Sequence, residues 1–255
     1  IVTQLQKYNV ASVRPEIVDP ETTKILLTSN IKFDEKATTK ISNTLKSEVL
    51  TTITNYNTNT LTKFDGVFRF SKLSSLIDAT DTSILSNITT LKIRKDFTPT
   101  LASSTKYNVY FRNALYNPHS GHNSSAGGIL ESSGFKISGD SSTVFYLDDD
   151  GQGNVRRYSF SGATRVYANN TQGTIDYTTG AITINSLSVL SVENIRGAAS
   201  TKIELTVVPS SNDVVPVRDQ ILEIDTANSS ITVTADTFVG GSTDAGVGYT
   251  TTSSY

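Results

Sequence analysis

The chain has 255 residues, 22 basic against 24 acidic, and a formal net charge of −2. That balance excludes the basic excess with which a protein neutralises nucleic-acid phosphates. Cysteine, methionine and tryptophan are all absent, so disulfides, thiolate zinc sites and thiol nucleophiles are excluded together. No apolar run approaches the ~20 residues of a membrane-spanning helix, and Ile1 to Val10 lacks the pattern of a signal peptide. Ser, Thr and Asn make up roughly a third of the chain, a bias suited to strands with solvated faces and to turns. Without a methionine before Ile1, the chain reads as an internal or processed piece of a longer protein.

In chain order, Thr3 to Tyr8 reads as the last turns of a truncated helix, and Arg14-Pro15 forces extended backbone. A strand is expected over Glu16 to Asp19, a turn through Pro20, and a second strand over Lys24 to Phe33. There Ile25, Leu27, Ile31 and Phe33 share one face at period two, with Ser29 as the polar exception. Ile41, Leu45, Val49, Ile53 and Tyr56 then recur at helical spacing, with Asp34 or Thr38 as the expected cap. A shorter helix is predicted over Ser71 to Ala79. A strand over Ile88 to Lys95 should point Leu91 and Ile93 inward.

Beyond Pro99 the pattern becomes one of hairpins. Tyr107, Val109 and Phe111 alternate along Lys106 to Arg112. Phe145-Tyr146-Leu147 leads through Asp148 to Asn154 into a strand over Val155 to Phe160. Ile175 to Tyr177 turns at Thr178-Thr179-Gly180 into Ala181 to Ile184. Ile203, Leu205 and Val207 mark another strand. Ile221 to Ile224 and Ile231 to Val233 are expected to pair with each other around the loop 226–230. The reading is α+β: a compact unit of two helices on a small sheet over residues 1–98, then a β-rich antiparallel sandwich-like or open-barrel domain over 99–239. The Gly/Ser/Thr-rich tail, 240–255, is expected to dock on another subunit or on the second domain.

Chemistry-bearing motifs are few. Asp148-Asp149-Asp150-Gly151-Gln152-Gly153 resembles a calcium loop, but counting from Asp148 the twelfth position is Ser159, where a bidentate Glu is needed. A plain acidic hairpin turn is the better reading. His119 and His122, the only histidines, sit in a loop of small polar residues and read as solvated or interfacial. Nucleophile elbows, P-loops and dinucleotide fingerprints are absent. The expectation is therefore no enzyme, with no catalytic, cofactor-binding or metal residue. A glycan hydrolase would need two carboxylates facing across a groove, for which the sequence offers no independent support.

Residues 4–98 resemble the C-terminal half of the baseplate wedge protein of T-even-type contractile-tailed phages, within the baseplate J-like family, with cyanophage-type relatives nearest in flavour. The resemblance is carried by Leu5-Gln6-Lys7-Tyr8-Asn9-Val10-Ala11, Arg14-Pro15-Glu16-Ile17-Val18-Asp19-Pro20 and the strand Ile25 to Phe33. After the following helix it continues in Phe68-Arg69-Phe70-Ser71-Lys72-Leu73 and Asp78-Ala79-Thr80-Asp81. It implies a virion structural subunit, a homodimer that combines with a longer wedge subunit and links neighbouring wedges into the ring around the tail hub. It also implies support for the change that triggers sheath contraction, no nucleic acid or membrane as partner, and a host-cytoplasmic stage during assembly. The alternative is a receptor- or glycan-binding tail or surface module, which should present a concave pocket with convergent polar and aromatic groups.

Overall fold

A computed structural model describes residues 21–121, 128–217 and 219–236. The expected helix at Thr3 to Tyr8, the strand at Glu16 to Asp19, His122 and the tail 240–255 lie outside these residues. The described residues form an α+β fold of two sheets with two α-helices.

β1 (Glu21–Phe33) opens the first sheet, and its alternation is the predicted one, with Ile25, Leu27, Ile31 and Phe33 all buried. The exception, Ser29, is buried too, and accepts a hydrogen bond from Thr89 Oγ1 at 2.9 Å. α1 (Ser42–Tyr56) buries Leu45, Val49, Ile53 and Tyr56 as its period requires. Its start differs from expectation: Ile41 is the N-cap, is 66% exposed, and no side chain caps the helix. Asp34 and Thr38 instead accept the backbone N–H groups of Lys36 and Lys40, stabilising the preceding turns. A π-helical turn (Asn57–Leu61) follows. α2 (Phe70–Asp78) then buries Leu73 and Ile77. β2 (Ile84–Phe97) runs antiparallel to β1, with Leu91 and Ile93 buried as predicted.

The next strands build the second sheet around one brief return to the first. β3 (Thr105–Tyr110) is followed by β4 (Glu131–Ser132), a short strand of the first sheet. β5 (Phe135–Ile137), β6 (Asp140–Asp149), β7 (Asn154–Ser161), β8 (Thr164–Asp176), β9 (Ala181–Leu187) and β10 (Val189–Val192) complete the second. Its order is β10-β5-β6-β7-β8-β9-β3, with every ladder antiparallel. It curls into a half-barrel, the open form of the two expected. Gly180 takes φ +70° at the β8–β9 hairpin, as the turn demands.

The chain then goes back to the first sheet. β11 (Ile203–Val207) lies antiparallel to β2, while β12 (Gln220–Ile224) and β13 (Ser230–Ala235) run parallel to β1. β12 pairs with Glu21 to Ile25 and β13 with Thr28 to Phe33. The expected hairpin between them does not form; they are two successive pieces of one edge, interrupted by the loop 225–229. The sheets thus divide the chain differently from the segments 1–98 and 99–239, because the last strands complete the sheet that β1 and β2 begin. One apolar cluster runs through both sheets and both helices.

Candidate interaction surfaces

The acidic turn is the natural place to look for chemistry, and each of its carboxylates already has protein partners. Asp148, buried on β6, faces Arg156 at 2.9 Å and Arg165 at 2.8 Å, and Tyr167 donates to it at 2.9 Å. Asp149 Oδ1 accepts the Leu130 N–H at 2.7 Å, and its Oδ2 accepts the Tyr177 hydroxyl at 2.6 Å. Burial first, then the hydrogen bond to Asp149 and the charge of that carboxylate, push the Tyr177 phenol far above its ordinary range. Asp150 accepts N–H groups from Gln152 and Asn154 and closes the turn. The three residues serve as structural hydrogen-bond acceptors. His119 is exposed, its Nδ1 3.3 Å from the Ser120 carbonyl oxygen. Among the described residues no group of three or more His, Asp or Glu is placed to hold a metal ion.

A second cluster lies in the first sheet. Arg94, 2% exposed, faces Asp96 at 3.0 Å, Glu204 at 3.2 Å and Asp225 at 3.0 Å. Its Nε and Nη1 meet their carboxylates at ion-pair distance without the alignment of a hydrogen bond. Arg196 adds a 2.9 Å contact to Glu204, and Lys24 lies 3.9 Å from Asp225. Burial raises Asp225, but Asn228, Arg94 and Lys24 outweigh it and hold the carboxyl below the usual range. On the same sheet, Lys95 is buried against Glu21; burial lowers its ammonium pKa and Glu21 partly restores it. The signal for this cluster was the charge-rich run 92–96 inside a strand pattern, which sequence reasoning passed over.

These charges line a cavity of about 450 Å³ beside β1, β2 and β3, bordered by Glu21, Lys24, Arg94, Lys95, Asp96 and Glu223. Arg94 pairs with Asp96 and Lys95 with Glu21 across it, so it is largely a seam of internal ion pairs. The outer face of β6, β7 and β8 carries a ladder of rings. Tyr146 stacks on Tyr158 at 5.7 Å, Phe160 meets both at 5.4 Å, and the Arg165 guanidinium lies 4.7 Å from the Tyr158 centroid. Exposed apolar side chains also mark the helical side, at Phe64 and Leu76. No helix among the described residues is long and apolar enough to cross a membrane.

Comparison with protein families gives one result. Residues 24–96 match the model of the family described as "Baseplate structural protein gp6, C-terminal domain III". The match covers under a third of the chain, from within β1 to within β2, with both helices between them. It supports a structural component of a phage baseplate, located in the virion tail. No curated protein matches the chain.

Proposed function

We propose that the chain is a structural subunit of a contractile phage tail baseplate wedge, joining wedges into the ring around the tail hub. It acts as a homodimer with a longer wedge subunit and supports the change that triggers sheath contraction. The observation that carries this reading is the family match over residues 24–96, which falls on an unbroken β1–α1–α2–β2 unit. The geometry agrees with it, since the polar clusters are consumed by internal pairing and leave the carboxylates at Asp148–Asp150 no reacting partner. The reading assigns no catalytic step and no cofactor. It places the folded chain in the host cytoplasm before it enters the tail. The receptor- or glycan-binding alternative gains no support from the comparison.

The test is an amber mutant of the phage that encodes the chain. Tails assembled without the protein should lack complete baseplates, and density for the chain should repeat around the ring in wild-type tails. Complete, infectious tails formed without it would sink the proposal.

A further inference from the structure

β8 is held in ladders on both sides only at Gly173 and Thr174. Gly173 to Asp176 pair with β9, whereas Thr164 to Tyr167 and Asn169 pair with β7 alone and Ala168, Asn170 and Thr171 stand out of register. Over those eight residues the far edge of the strand has no ladder partner among the described residues. Such an edge offers a row of N–H and C=O groups to an added strand. Val166 on it is 50% exposed, and neither Lys nor Pro guards it.

Beside this edge stands a cation without an anion. Arg157, on β7, is registered against Asn169 of β8 and shares a face with Ser159 and its partner Val166. Its guanidinium lies 5.2 Å from the Phe145 ring, it makes no ion pair among the described residues, and its buried Nε has no hydrogen-bond partner. Every other arginine described on this sheet faces Asp148. A half-buried guanidinium left without an acceptor is costly, and a carboxylate supplied from outside would offset that cost.

We propose that the β8 edge over residues 164–171, with Arg157 beside it, receives an extended segment of a neighbouring baseplate protein that brings a carboxylate to the guanidinium. An added strand would lie two strand spacings, roughly 10 Å, from the β7 backbone. A long arginine and an incoming Asp or Glu, leaning towards each other, close that gap. A second copy of this edge is the wrong occupant. Residues 164–171 contain no acid, and pairing the edge with itself would bring Arg157 and Arg165 towards their own copies. The extra residue Ala168 shifts the register between Arg157 and Tyr158, and a second shift across 170–172 follows it; both bend the strand, so the incoming segment pairs in short stretches between these bends.

This rests on the baseplate reading, and two measurements on purified tails keep the two apart. Hydrogen exchange of amides 164–171 is compared between the isolated chain and the assembled tail; the expected result is exchange slowed about tenfold or more in the tail. In the Arg157→Lys variant, a carbodiimide should join the new amine to an Asp or Glu of a different tail protein, identified by mass spectrometry. Equal exchange in both states, or a cross-link to this chain or to a second copy of it, overturns the inference. Absence of the chain from tails overturns the baseplate reading instead. An unchanged melting temperature of the Arg157→Lys chain confirms that a missing cross-link is not a failure to fold, and then it too counts against the inference.

Discussion

Arg94 on β2 and Asp225 after β12 meet at 3.0 Å, both almost fully buried, and so tie the family-matched segment to strands that return from the far end of the chain. Removing one member leaves the others charged and dry. Arg94→Met is expected to destabilise the fold by about 3–5 kcal/mol, read from the midpoint of a urea titration. Asp225→Asn should cost less, because Asp96 and Glu204 still face the guanidinium. Replacing Arg94, Asp96, Glu204 and Asp225 together by apolar residues of similar volume should recover most of the loss.

Gly173 stands where β8 turns from a one-sided to a two-sided strand. A Cβ there would overlap the carbonyl oxygen of Thr183 on β9. Gly173→Ala should therefore cost about 3 kcal/mol, the upper end for forced repacking. Faster hydrogen exchange should appear in β9 first, since Thr183 is directly across the ladder from Thr174.

The helix α1 allows a paired test of burial. Leu45 is fully buried and Leu45→Ala should cost about 2–5 kcal/mol. Ile41, one turn earlier and exposed, should tolerate Ile41→Ala within about 0.5 kcal/mol. A large effect at Ile41 would place that side chain in a contact with another chain or in residues outside the described ones.

Asp81 links the approach to α1 with the start of β2. The Lys40 ammonium at 2.7 Å, with Ser83, holds its carboxyl at about 2 against an ordinary 3.8. Its contribution is fully present above 3.8 and is lost as the pH falls from there towards 2. Lys40 is raised by Asp81 and then Glu48, so its contribution is full below 10.5 and fades only as the pH rises through its higher folded value. The stability difference between the wild type and Asp81→Asn should shrink as the pH falls from 4 to 2, as followed by urea midpoints at each pH.

What was legible in the sequence was whatever periodicity encodes. Ile25 to Phe33 and Leu45 to Tyr56 read correctly because a face repeated at period two or at helical spacing is a local property. The partners of β12 and β13 were not legible, since two short apolar runs around a five-residue loop look the same whether they pair with each other or with a strand at the chain's other end. The cap of α1 failed for a related reason. Asp34 and Thr38 are good acceptors, but the turns just after them claim their oxygens first. Of the surfaces, the acidic turn was recognised as a turn, while Arg94 and Arg157 were missed. Burial of a charge depends on neighbours distant in sequence, and no spacing announces it.

The return of β11, β12 and β13 to the first sheet also fixes an order of events at the ribosome. β1 and β2 emerge before β11, β12 and β13, so both outer edges of that pair stay bare until those three strands have been made. The half-barrel, whose strands are close in sequence, can form in the meantime. A chain released after residue 202 is thus expected to hold a folded half-barrel and an adhesive, unfinished sheet, and to aggregate. Synthesis of β11, β12 and β13 then lets both edges close in a slow step, limited by the long loops that β12 and β13 must close.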